Sequence, residues 1–204
     1  DSDYTELNDG RILTVYTANQ SFLMIMDFHA NQLKREGQFD NHPRFIIKTT
    51  ASARSWDEWA KKNGVNVVNV PVGFKEIANI MKKVEKQITE TPDKNVVITD
   101  IFNRDVNLGV NPKLIFGGEE SGGMIIGSES VIKSQAGRIA IAMREKSATE
   151  AIVVASALVS YLEKEGKLLS DYLHEVFENN EIISKFDIRA VSYTHLRAHE
   201  TSQD

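Results

Sequence analysis

The segment Gly117-Gly118-Glu119-Glu120-Ser121-Gly122-Gly123 directly follows the apolar run Leu114-Ile115-Phe116. A buried strand there would deliver two carboxylates and a hydroxyl into a loop with almost no other side chains. Glycines let a backbone take positive φ and let a ligand approach closely. Carboxylates and a hydroxyl on such a loop suit a polyhydroxylated ligand such as a sugar, whose hydroxyls need fixed acceptors. The competing reading is a turn with solvated acids. A second group is Val70-Pro71-Val72-Gly73-Phe74-Lys75-Glu76, where a strand, a glycine turn and a helix start bring backbone N–H groups and Lys75 together. Helix N-termini attract anions, although a plain surface lysine fits the same pattern. A third is Met143-Arg144-Glu145-Lys146, placed just before a helix start at Ser147. Cations there oppose the helix dipole unless an anion is shared, or unless one of them simply pairs with Glu145 in a solvated turn. The fourth is Asp1-Ser2-Asp3, whose two carboxylates could chelate a hard cation such as Mg²⁺, or could belong to an ordinary turn.

The elements that must position these groups alternate between strand and helix. Apolar residues recur at helical spacing from Ala18 to about Glu36 (Phe22, Leu23, Ile25, Met26, Phe28, Leu33), and Gly37 ends the run. Residues 38–43 are polar and linker-like, and a domain boundary is expected there. Strands are expected over 45–50, 65–70, 96–101 and 114–116, with 124–126 returning antiparallel after the glycine loop. Helices are expected over 55–62, 74–89, 151–165 and 168–179. Ser147 and Glu150 form an expected capping box, and the helix after it, apolar on most sides, is expected to pack inside. The fold class is therefore α/β, a mixed β-sheet layered with helices. The stretch 95–112 before the glycine loop has no account from the sequence.

The chain has 204 residues, 41% hydrophobic, enough to bury a real core. A formal charge of −5 argues against nucleic acid as the main partner. There is no cysteine, which excludes disulfides and thiolate metal sites and fits a cytoplasmic protein. No apolar run reaches membrane-spanning length. From Val191 to Asp204 the sequence has no clear period and resembles a translated sequencing-adaptor tail. Residues 189–204 are accordingly expected to be a non-native, disordered tail, and His195, His199 and Glu200 are not taken as a zinc site. His29, His42 and His174 are expected to be structural or exposed.

The four groups, in this order, resemble the α-D-phosphohexomutase superfamily of phosphoglucomutases and phosphomannomutases. Gly118-Glu119-Glu120-Ser121-Gly122 is similar to that family's Gly-Glu-x-Ser sugar loop. Val72-Gly73-Phe74-Lys75 is similar to its Gly-Phe-Lys segment, Arg144-Glu145-Lys146 to its Arg-Glu-Lys-Asp segment, and Asn19-Gln20 to the Thr-Gly-Asn-Gln that opens a helix after its metal loop. The resemblance implies that residues 1–40 are the end of the second domain, with metal loop and helix, and 41–188 the third, sugar-binding domain. It implies Glu119, Ser121 and Gly118 as sugar-binding residues, with Lys75 and Arg144 also on the substrate. Lys146 would be the catalytic residue, as proton shuttle or electrostatic support, and Asp1 and Asp3 the ligands of Mg²⁺.

The implied activity of the parent enzyme is an intramolecular phosphotransfer. It interconverts hexose 1-phosphate and hexose 6-phosphate through a phosphoserine and a bisphosphate intermediate. The implied partners are a hexose phosphate and domains one and four of the parent chain, with no nucleic acid and no membrane. Neither a Ser-His-Asn phosphoserine loop nor an Arg-x-Ser-Gly-Thr phosphate clamp is present, so the chain alone is expected to be inactive. Alternatives are a non-catalytic sugar-phosphate-binding module, or a phosphopentomutase or phosphoglucosamine mutase relative. Gly123 stands where many phosphomannomutases carry histidine, which favours a phosphoglucomutase-like branch. Only two aspartates of the family's metal triplet are present.

Overall fold

In this computed structural model residues 3–185 are described. The chain builds β1 (Asp3–Glu6), β2 (Ile12–Val15), α1 (Ala18–Arg35), β3 (Arg44–Thr49), α2 (Arg54–Lys62), β4 (Asn66–Val70) and α3 (Phe74–Glu90). It continues through β5 (Asn95–Thr99), β6 (Asp105–Val110), β7 (Lys113–Gly118), β8 (Met124–Ile126), β9 (Ile132–Lys133), β10 (Ile139–Ala140), α4 (Ala148–Glu165) and α5 (Leu169–Asn179).

The central sheet has the order β4-β3-β7-β8. β3 runs parallel to both β4 and β7, and β8 returns antiparallel to β7. All six residues of β3 and of β7 are buried, as expected for strands covered on both faces. Side chains alternate between the two covers except at Ile115–Phe116, where the register of β7 against β3 shifts by one residue and both face the same side. Ile46, Ile115 and Phe116 face a core built by α1, α2, α4 and α5 with Trp56 and Trp59 at its centre. Phe45, Ile47 and Leu114 face α3 through Ile77, Met81 and Val84. The mixed α/β layering expected from the sequence is what forms.

α1 begins at Thr17, whose Oγ1 accepts from Gln20 N while Gln20 Oε1 accepts from Thr17 N. This reciprocal cap satisfies two otherwise orphaned donors. α1 packs into the same core as α2, α4 and α5.

One stretch without an account is resolved, and two expectations need correction. The stretch 95–112 is the β5–β6 hairpin, laid on α3 through Val96, Ile98 and Leu108. Its outer strand is closed by Gln87, whose side-chain amide both accepts from Val97 N and donates to Val97 O. The capping box at α4 is half made. Ser147 Oγ accepts from Glu150 N, but the Glu150 carboxylate reaches across to accept from Ile126 N in β8 at 3.0 Å. And α4 is not enclosed. Leu158 and Leu162 are buried, whereas Ile152, Val153 and Val159 are 66%, 61% and 48% exposed, because the neighbouring elements cover one stripe of the helix only.

His29, on α1, has a buried Nε2 with no hydrogen-bond partner among the described residues. Burial pulls its pKa below the ordinary histidine value, with Arg44 lowering it further and Glu129 working against both. A base whose folded pKa is depressed keeps its full stabilising contribution above the unfolded value of about 6.5 and loses it as pH falls through the folded value. His29→Leu should therefore flatten the fall in melting temperature between pH 7.5 and pH 5. Parallel pH–stability curves for the two proteins would contradict this.

Candidate functional site

The carboxyl ends of β3 and β7 are adjacent, and the chain leaves β3 toward β4 on one side and returns to β7 on the other. Such a switch in winding direction opens a crevice at the strand ends. Two loops meet there, residues 50–53 after β3 and 119–123 after β7. Thr49 Oγ1 donates to Glu120 Oε2 at 2.7 Å and lies 2.9 Å from Ser52 Oγ, so a hydroxyl pair ties the two loops together. Asn19, at the start of α1, steadies the first loop by accepting from Ala53 N through Oδ1 and from Trp56 Nε1 through its carbonyl.

The second loop closes on itself: Glu119 N donates to Gly123 O and Gly122 N to Glu119 O. Gly122 has φ +103°, which L side chains rarely adopt. A Cβ on Gly123 would lie 2.6 Å from Glu119 Oε1, so the bare glycine leaves room for that carboxylate. Glu119 is 4% exposed, Glu120 is half-buried, and Ser121 is exposed at the tip.

A buried carboxylate needs a partner. Lys146 supplies it, its Nζ 3.3 Å from Glu119 Oε1. The same ammonium lies 5.9 Å from the centre of the Phe74 ring. Three separate sequence groups thus converge: the glycine loop, the start of α3 and the segment before α4. The Lys146 side chain is 56% exposed, so it is a solvated charge held against a buried carboxylate.

The segment leading to Lys146 is fixed from both sides. Glu85, buried on α3, accepts from Ile141 N and pairs with the Arg144 guanidinium. Beyond Lys146, Ser147 N donates to Met124 O, and Met124 is in register with Gly118.

The structure thus places the residues named from sequence unequally. Gly118, Glu119 and Lys146 come together, with Ser121 on the same loop. Lys75 is exposed in the first turn of α3, next to Phe74. Arg144 is turned to Glu85 and to Ile139 O. Asp1 lies outside the described residues, and of Asp3 only its place at the start of β1 is described. Among the described residues no group of three or more His, Cys, Asp or Glu could hold a metal ion. His195, His199 and Glu200, and the expected tail over 189–204, also lie outside the described residues. No helix among the described residues is long and apolar enough to cross a membrane. Sequence reasoning missed Thr49, Ser52 and Glu85. A run of hydroxyl residues at 49–52 directly after a strand was the available signal for the first two. Glu85, one acid on an amphipathic helix, gave none.

No curated protein matches the chain. A solved structure assigned as a phosphomannomutase from Thermus thermophilus is 18% identical, with a TM-score of 0.46 over 87% of this chain and 30% of that one. An N-acetylphosphoglucosamine mutase from Aspergillus fumigatus, a serine-to-alanine variant in complex with glucose 1,6-bisphosphate, is 12% identical, with a TM-score of 0.45 over 84% and 29%. The chain thus spans less than a third of the length of either. The family profile for phosphoglucomutase/phosphomannomutase, alpha/beta/alpha domain III, matches residues 21–180. With most of its length inside that match, the chain belongs to the phosphoglucomutase/phosphomannomutase family and carries its domain III.

Proposed function

We propose that this chain is the sugar-recognition part of a phosphohexomutase that interconverts hexose 1-phosphate and hexose 6-phosphate through a phosphoserine and a bisphosphate intermediate. The observation that carries the reading is the Glu119–Lys146 pair at the tip of β7. A buried carboxylate in a glycine loop accepts hydrogen bonds from sugar hydroxyls, and Ser121 beside it both accepts and donates. The adjacent ammonium stabilises charge on a phosphoryl group passing near the sugar, which is chiefly what phosphoryl transfer asks of a protein. A grip on hydroxyls, with no nucleophile of its own, tolerates a substrate that presents either end.

Gly118 lines this grip, and Lys75 extends the positive charge along the start of α3. Arg144 acts by aligning Lys146 through Glu85. Asp1 and Asp3 are proposed as ligands of Mg²⁺ in the parent enzyme, located in the cytoplasm, and the loop chemistry does not depend on them. Residues 1–40 and 41–188 are proposed as the end of domain two and as domain three, with domains one and four as the partners that complete the site.

Calorimetric titration with glucose 1-phosphate tests this. Glu119→Gln should weaken binding at least tenfold, because a neutral amide neither pairs with Lys146 nor accepts as strongly. Ser121→Ala should weaken it several-fold. Unchanged affinity in both would overturn the reading. A turnover assay with glucose 1-phosphate and glucose 1,6-bisphosphate should show no mutase activity for the chain alone.

A further inference from the structure

We propose that the tip of the β5–β6 hairpin forms the second wall of the same crevice, with Phe102 as a platform for the apolar face of a phosphorylated sugar and Arg104 as a donor to its oxygens. The inference rests on the reading of the Glu119 loop as a sugar-phosphate site.

The hairpin runs along the outer edge of β4. Its base lies by the start of β3, where a Cβ on Gly109 would come 2.8 Å from Pro43 Cγ. Its tip lies at the other end, where Ile101 N donates to Asn69 O at 3.1 Å. Asn69 is in register with Lys48, and Lys48 with Gly118. One row across the sheet therefore joins the hairpin tip to the glycine loop. Three inter-strand steps make that row about 14 Å. The two loops that meet at Thr49 and Glu120 lie between its ends.

The tip is organised beyond what a surface turn needs. Asp100 is buried, and Oδ1 accepts from Phe102 N and Arg104 N while Oδ2 accepts from Arg104 Nε and Nη2. Nη1 of Arg104 has no partner among the described residues. The guanidinium lies 4.8 Å from the centre of the Phe102 ring, yet Phe102 stays 56% exposed. The Arg104 guanidinium pairs with the Asp100 carboxylate at 2.6 Å. An exposed aromatic ring stiffened from below by a buried carboxylate contributes little to the core. Aromatic faces packing on sugar C–H surfaces, and guanidinium donors to oxyanions, are what such a tip offers.

The test is calorimetric titration of the full chain with glucose 1-phosphate. Phe102→Ala alters an exposed group and should leave circular dichroism and melting temperature unchanged. Arg104→Gln removes the cation paired with the buried Asp100 and should lower the melting temperature, so its titration is run well below that temperature, where circular dichroism shows it folded. Each should weaken binding about five- to tenfold, with Val110→Ala, at the far end of the hairpin, binding like the unaltered chain. Wild-type affinity in both tip variants, with binding lost in Glu119→Gln, overturns the hairpin wall and leaves the glycine-loop reading standing. If Glu119→Gln also binds normally, or the unaltered chain does not bind, that reading fails and the wall falls with it.

Discussion

Asp27→Ala should cost about 4 kcal/mol of folding stability, read from urea unfolding. Asp27 lies on α1 and is 6% exposed. Its Oδ1 accepts from Trp59 Nε1 at 2.8 Å and from Asn180 Nδ2 at 3.3 Å. Its Oδ2 accepts from Asn31 Nδ2 and from Tyr172 OH, both at 2.8 Å. One carboxylate therefore ties α1, α2 and α5 together through hydrogen bonds alone. Burial, then the Asp27 charge, pushes the Tyr172 hydroxyl well above the ordinary tyrosine range, so it remains a donor across the physiological pH range. Alanine strands the donors of Trp59 and Tyr172, both buried, and leaves a void beside them, while Asn180 Nδ2 keeps the Val176 carbonyl. At about 2–4 °C per kcal/mol for a chain of this size, the melting temperature should fall by roughly 10 °C. Asp27→Asn keeps the shape but sets an N–H₂ against two donors, and should cost about half as much. A loss under about 1 kcal/mol in the alanine variant would mean that water replaces the carboxylate there.

How far the sequence spoke differs from element to element, and the reasons are physical. α1 and α3 were legible because Phe22, Met26, Leu33 and Ile77, Met81, Val84 repeat at helical spacing against one face. β7 and β8 were legible because short apolar runs flank a glycine loop. β6 was not. Asp105-Val106-Asn107-Leu108-Gly109-Val110 has poor strand propensity, and it is held by pairing with β5 and by Leu108 packing toward α3. α4 misled in the opposite direction. Its composition implied burial on most sides, but burial depends on what stands opposite, and among the described residues only the stripe through Leu158 and Leu162 is covered.

The same division runs through the site. Glu119, Ser121 and Lys146 stand out because carboxylates, hydroxyls and cations beside glycines are conspicuous. That Lys146 pairs with Glu119, and Arg144 with Glu85, could not be read from residue types, since both cations had Glu145 beside them in the chain. Long-range pairing follows from where α3 and β8 lie. Thr49 and Ser52 matter because β3 and β7 are neighbours, a fact of sheet order that no local pattern encodes.

Gly127→Ala should be the most damaging single methyl in the chain. A Cβ built on Gly127 would lie 1.9 Å from the carbonyl oxygen of Leu114, 2.6 Å from its carbonyl carbon and 2.7 Å from its Cβ. Leu114 is 1% exposed in β7 and in register with Phe45 of β3, so it cannot retreat without disturbing the centre of the sheet. The chain just past β8 must move out instead. That strains the β7–β8 pairing, and with it the Glu150 contact to Ile126 N and the Ser147 contact to Met124 O, which together anchor the start of α4 beside Lys146. The expected loss is about 3 kcal/mol, at the upper end for added volume in a packed interior, because the obstacle is backbone and not a side chain that can rotate. Glucose 1-phosphate binding should weaken in parallel, since the Glu119–Lys146 spacing depends on those anchors. Gly122→Ala supplies the contrast. It has open space around its Cβ, so only its positive φ is penalised, at about 1–2 kcal/mol, with the β7–β8 pairing intact. Urea midpoints of the two variants should therefore differ clearly, with Gly127→Ala the lower. Equal midpoints would show that the approach of residue 127 to β7 is looser than a single methyl group.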